Sequence, residues 1–206
     1  MRNGFGLLAD VLRYYFYVSN GYVYSKLRLL LFPFQHRDWA RIVTVDHEGR
    51  AAYRPPRDDL NAPDLYIPLM AFVTWIILSS VARATQESFS PEVFGKLASR
   101  GLSVVLLEVL VLKGGLYMLS DAPAPPILTL VAWSGYKFVG ACLVVLAFLV
   151  LGNIAGFLVL LYMAAASAAV MNEQRRTVWL GAPSRPFYIA VMASQLAWAL
   201  VLSCSV

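Results

Sequence analysis

The stretch from Leu128 to Met171 is almost continuously apolar, and Gly152-Asn153 is the only turn signal within it. A helix rising about 1.5 Å per residue would overrun the roughly 30 Å hydrocarbon core of a bilayer well before the end of this run. Two helices folded back at Gly152-Asn153 solve the length problem, with spans over Leu128 to Val150 and Leu151 to Met171. Three more apolar segments are long enough to cross: Tyr66 to Ala82, Gly101 to Leu119 and Pro186 to Ser205. The expected fold class is all-α, a polytopic helical membrane protein with about five transmembrane helices and an interfacial N-terminal helical segment. Of the 206 residues, 59% are hydrophobic and the mean hydropathy is +0.63, too apolar for one or two water-soluble domains.

Residues 1–65 read as a cytosolic or interfacial region and residues 66–206 as the five-span domain. Between residues 4 and 34, Arg13, Lys26 and Arg28 are placed to face anionic headgroups while Leu27, Leu29, Leu30, Leu31, Phe32 and Phe34 reach the acyl boundary. The same apolar face could instead pack under the membrane domain, and Gly21 is the expected break between two helices. His36 to Arg57 is polar and reads as a connector. His36 and the string Asp46-His47-Glu48 do not make a metal set, because adjacent residues do not converge on one ion and no second His or Cys pair is present. No cofactor is expected.

Seventeen basic residues outnumber twelve acidic ones, but they are dispersed without an aromatic-basic patch, which argues against nucleic acid as a partner. The excess reads as topology. Nine basic residues precede the first span, and Arg175, Arg176 and Arg185 stand on the same side; Arg83, Lys96 and Arg100 stand opposite. Twelve against three implies a cytosolic N-terminus and a lumenal C-terminus. No cleavable signal peptide is apparent, so the first span is expected to direct insertion. Cys142 and Cys204 fall at different expected depths, and no disulfide between them is anticipated.

Glu108, Lys113 and Lys137 lie inside apolar spans, where an unpaired charge costs about 2.5 to 3.5 kcal/mol. With antiparallel second and third spans, Glu108 and Lys137 are offset along the axis by about 6 Å, so they are expected to pair while Lys113 snorkels. A pair of this kind either fixes helix register or lines an ion path. Gly152 and Gly156, followed by Ala164, Ala165, Ala168 and Ala169, supply the small-residue spacing that lets membrane helices approach closely.

Between the polar connector and the first span lies Asp59-Leu60-Asn61-Ala62-Pro63-Asp64-Leu65-Tyr66-Ile67-Pro68. Asp58, Asp59, Asn61 and Asp64 can each cap a helix start, where unpaired N–H groups and the positive dipole end favour an acceptor. This string, with Met70-Ala71-Phe72-Val73-Thr74 after it, closely resembles the signature of the Yip-interacting-factor (YIF) family. Lys26-Leu27-Arg28-Leu29-Leu30-Leu31-Phe32-Pro33-Phe34, Phe89-Ser90-Pro91-Glu92-Val93 and Ser134-Gly135-Tyr136-Lys137-Phe138-Val139-Gly140 agree in family order. Beyond about residue 151 the resemblance is one of hydropathy. Little of the family's long cytosolic leader stands before these motifs.

The resemblance implies a non-enzymatic, multi-pass factor in vesicle-mediated transport between endoplasmic reticulum and Golgi. It further implies a complex with a Yip-type membrane protein and contact with a Rab-type GTPase. Asp58, Asn61, Asp64, Tyr66 and Pro68 are the candidate partner contacts, and Glu108, Tyr136 and Lys137 the candidate intramembrane polar residues. Two other classes remain open: a curvature-shaping protein that wedges its N-terminal segment into the bilayer, and a small transporter using Glu108 and Lys137.

Overall fold

The computed structural model describes residues 4–45, 51–86, 90–119, 125–178 and 185–203. Asp46, His47 and Glu48, Phe89 and Cys204 lie outside them. The described residues are overwhelmingly helical. Helices α1 (Gly4–Phe16) and α2 (Asn20–Leu31) lead through a 3-10 turn (Pro33–Gln35) to a small hairpin of β1 (Val43–Val45) and β2 (Ala51–Tyr53). There follow α3 (Tyr66–Gln86), α4 (Glu92–Leu119), α5 (Ile127–Gly135), α6 (Lys137–Leu151), α7 (Asn153–Val178) and α8 (Arg185–Ser203).

Among the described residues, four stretches are long and apolar enough to cross a membrane: Tyr66–Thr85, Glu92–Met118, Ile127–Leu151 and Asn153–Gln174, with a shorter apolar helical portion at Ala193–Ser203. Outward positions such as Leu106, Leu110, Ile154 and Leu158 are exposed leucines and isoleucines, the surface expected against lipid. The all-α membrane class stands; of the five expected spans, four reach crossing length among the described residues, and Pro186 to Ser205 holds only the shorter apolar portion.

Helix α6 is central. It packs on α3, α7 and α8, and α2 reaches it from the N-terminal region. Its hairpin with α7 turns at Gly152, whose φ of +82° and ψ of −178° fall in a region essentially closed to any residue with a Cβ. The amide of Gly156 then donates to the Gly152 carbonyl at 3.0 Å and starts α7, while Phe148 covers Gly156 face-on. The small-residue spacing therefore serves contact within the chain at Gly156.

Four local expectations change. The N-terminal helices separate at Tyr17–Ser19, where the Ser19 hydroxyl accepts from the Tyr22 amide as an N-cap; Gly21 lies inside α2. The polar connector contains the β1–β2 hairpin, paired Val43 with Tyr53 and Val45 with Ala51, a strand pattern too short to stand out among charges. Helix α4 begins at Glu92, two turns or more before Gly101, because amphipathic Glu92 and Lys96 support the helix with an i,i+4 ion pair ahead of the apolar run. The third span carries an irregular turn at Tyr136, between α5 and α6, with the backbone still helical (φ −59°, ψ −23°) and the Tyr136 amide still bonded to Ala132.

Just before this turn the start of α3 comes close. A Cβ on Gly135 would stand 2.6 Å from the Cβ of Pro68, so the glycine lets the start of α3 press against the α5–α6 joint. Gly135→Ala is expected to destabilise the chain by about 1–3 kcal/mol, the usual range for overpacking, and thermal unfolding in detergent measures it.

Candidate functional site

Two buried polar clusters meet at Ser134-Gly135-Tyr136-Lys137. The first is the junction before α3. Asp64 has no exposed surface. Its Oδ2 accepts from the Ile67 amide at 2.8 Å and so caps α3, while its Oδ1 accepts from the Tyr136 hydroxyl at 2.7 Å and the Tyr22 hydroxyl at 3.0 Å. The Asp64 amide in turn donates to the Tyr136 oxygen at 2.9 Å. Three elements distant in sequence are thereby tied to one carboxylate.

Lys26 completes this cluster. The expectation that it faces headgroups is corrected: its side chain is fully buried, and Nζ donates to the carbonyls of Leu60 at 2.6 Å and Ala62 at 3.2 Å. The Tyr22 and Tyr136 rings lie 5.9 and 5.4 Å from the ammonium, at cation–π range. The reason is local geometry, since Tyr22 and Lys26 are four residues apart on one face of α2, the face turned to the junction. Around it, Asn61 donates to the carbonyls of Asp38 and Ala40 at 2.7 and 2.9 Å, and its Oδ1 meets His36 Nε2 at 3.1 Å. Asp59 accepts from the amides of Asn61 and Ile42 at 2.9 and 3.0 Å. Among the described residues, no group of three His, Cys, Asp or Glu side chains could hold a metal ion.

Burial lowers the Lys26 ammonium from its ordinary 10.5 to about 8, with Arg41 adding to the effect and Asp64 and Asp59 opposing it. Burial, then Asp64, raises the Tyr22 hydroxyl well above its ordinary 10.0. As pH rises through 8 the folded chain releases a proton that the unfolded chain keeps to about 10.5, so stability climbs. Above about pH 10 the sign reverses, because unfolded Tyr22 ionises and folded Tyr22 does not. Unfolding measured from pH 7 to 11 is expected to show this rise and fall, and Lys26→Met is expected to flatten the rising limb.

The second cluster surrounds Glu108 of α4, which is buried. Its Oε2 accepts from Ser134 Oγ and pairs with Lys137 Nζ, and its Oε1 accepts from Gln195 Nε2 at 2.6 Å. Lys137 also stands 5.5 Å from the Trp198 ring. Ser134 and Lys137, three residues apart, share the face toward Glu108, and Tyr136 turns the other way to Asp64. The expected proximity of Glu108 and Lys137 is present, and Lys113 is exposed. A cavity of about 50 Å³ adjoins Lys137 and Gln195. That is room for waters, well below the roughly 300–1,000 Å³ of small-ligand pockets.

A model of the YIF1 family matches residues 3–195, most of the chain and both clusters. The chain belongs to the YIF1 family. Protein YIF1A of Mus musculus is 41% identical over 173 residues, 84% of this chain and 57% of that protein. "Protein transport protein yif1" of Schizosaccharomyces pombe is 46% identical over 134 residues, covering 64% and 46%. Protein YIF1B of Homo sapiens is 44% identical over 149 residues, covering 72% and 46%. This YIF1-family chain spans about half the length of the curated relatives it matches. No solved structure matches it.

The candidate contact residues occupy different settings. Asp58 is exposed, Asn61 and Tyr66 are half-buried, Pro68 is buried against Gly135, and Asp64 is enclosed with its carboxylate occupied inside the chain. Tyr22, Lys26, Ser134 and Gln195 belong to the clusters but are absent from the sequence-level candidates. The Tyr22–Lys26 and Ser134–Lys137 spacings were available signals, as was Gln195, a lone amide in an apolar run.

Proposed function

We propose that this chain is a non-enzymatic, multi-pass membrane factor in vesicle-mediated protein transport between endoplasmic reticulum and Golgi. It works with its N-terminus cytosolic, in a complex with a Yip-type membrane protein and in contact with a Rab-type GTPase. The observation that carries this reading is membership of a family whose fungal relative is named a protein transport protein, with the family's signature residues joined in one internal framework. Within that framework Asp58 offers the exposed carboxylate of the junction; Asn61 and Tyr66 are partly accessible beside it. Asp64 and Pro68 act by holding this surface in place.

Affinity purification of the chain from mild-detergent membranes tests the reading. A Yip-type protein is expected to co-purify near stoichiometrically, and Asp58→Arg to reduce its recovery at least fivefold at equal expression, about 1 kcal/mol of lost affinity. Absence of any Yip-type protein from the wild-type sample overturns the trafficking-complex assignment. Equal recovery with both chains removes Asp58 from the contact.

One observation favours a second reading. Helix α1 leaves Val11, Leu12 and Phe16 exposed beside Arg13, as a membrane wedge would. If wedging is the activity, the purified chain tubulates liposomes unaided and Leu12→Glu abolishes the effect.

A further inference from the structure

Beside the junction, where α5 begins, lies an open pocket of about 540 Å³, within the size range of small-ligand sites. Tyr14 of α1, Trp39 and Arg41 from the segment leading to the hairpin, Tyr53 of β2, and Pro126 and Trp133 from the third span contribute to its wall. Among the described residues that line it, Arg41 is the only charged one.

The guanidinium is held in place with one buried donor left over among the described residues. Its Cζ lies 4.2 Å from the Tyr53 ring centre, and Nη2 donates to the Tyr14 hydroxyl at 3.1 Å. Asp59 comes only to 4.0 Å from Nε, and both of its oxygens already accept backbone amides. Nε is buried without a hydrogen bond. A guanidinium has five N–H donors, and a buried donor without an acceptor is costly. An oxyanion is the ligand such a group accepts best, often through two parallel bonds.

The rest of the wall indicates what the oxyanion is attached to. It is chiefly aromatic and proline surface, suited to hydrocarbon. Pro63 and Pro126 flank the starts of two apolar spans, and Trp133 lies about two turns further in. This is the level of the boundary between headgroups and acyl chains, where Trp and Tyr concentrate. We propose that the pocket holds the phosphodiester headgroup of one bilayer phospholipid, with the phosphate on Arg41 and the glycerol end against Trp39, Pro126 and Trp133. The site goes beyond the trafficking reading and does not depend on it.

Native mass spectrometry of the delipidated full chain in detergent, titrated with dioleoyl phosphatidylglycerol, tests this. The expected result is one retained lipid, binding at least tenfold weaker to Arg41→Gln, no competition from a galactosyl diacylglycerol with the same acyl chains, and no displacement by millimolar inorganic phosphate. Ala40→Phe, which fills the pocket while leaving Arg41, is expected to lose the lipid with lipid-free thermal unfolding unchanged. Equal lipid retention by wild type and Arg41→Gln, or wild-type affinity in Ala40→Phe, overturns the proposal. So does equal competition by the galactolipid. Displacement by inorganic phosphate would make this a free-phosphate site and equally overturn the lipid assignment.

Discussion

Glu108→Gln is expected to destabilise the chain by about 3–5 kcal/mol, because it leaves the Lys137 ammonium buried without its counter-charge. The amide can still accept from Ser134 and meet Gln195, so the loss reports mainly the missing carboxylate. The double variant Glu108→Gln/Lys137→Met removes both charges and is expected to recover most of that stability, since a neutral pair carries no stranded ion. Unfolding in detergent followed by helicity gives all three values. Additive losses in the double variant would mean that the two charges are not coupled in the folded chain. Lys137→Met alone completes the cycle by leaving Glu108 without its counter-charge.

The second large effect is expected from Asp64→Ala. It removes the acceptor of the Ile67 amide and of the Tyr136 hydroxyl, and one of the two acceptors of the Tyr22 hydroxyl, which keeps the Ala62 carbonyl at 3.0 Å. With each buried donor left unpaired worth about 1–3 kcal/mol and partial relaxation, the sum is about 3–5 kcal/mol. The loss should be local. Helix α2 depends on Asp64 through Tyr22, so limited trypsin digestion is expected to cut after Lys26 or Arg28 in the variant while α6 and α7 stay intact. Tyr136→Phe, which removes one donor to the carboxylate and the acceptor of the Asp64 amide, should move in the same direction by about 1.5–3 kcal/mol. If Asp64→Ala leaves stability and cleavage unchanged, the burial of this carboxylate has no energetic consequence.

The spans were legible in the sequence because apolar length is a strong signal, and Gly152-Asn153 marked the α6–α7 turn by glycine's backbone freedom. The Glu108–Lys137 pair was legible because an apolar run leaves a buried charge few partners. The junction was legible as a cap, and Asp64 does cap α3. What no local pattern could supply was that Tyr136 would turn back to Asp64, seventy-two residues away, or that Lys26 would be buried. A lysine flanked by leucines near a membrane reads as a snorkelling residue, and only the placement of α2 against α6 and α7 shows it bonded to Leu60 and Ala62. The close approach at Gly135 was hidden for a related reason. Nothing in Ser134-Gly135-Tyr136-Lys137 announces that Pro68 will stand against Gly135.

Asp64, Tyr136, Tyr22 and Lys26 form one joint that docks the N-terminal segment onto the helical bundle. Hydrogen–deuterium exchange of the full chain in nanodiscs, comparing wild type with Asp64→Ala, tests it directly. The account predicts that amides of Asn20–Leu31 are protected in the wild type to the level of the first turns of α3, and lose that protection in the variant while α6 and α7 keep theirs. Rapid exchange throughout α2 in the wild type, or protection of α2 unaltered by Asp64→Ala, would contradict it.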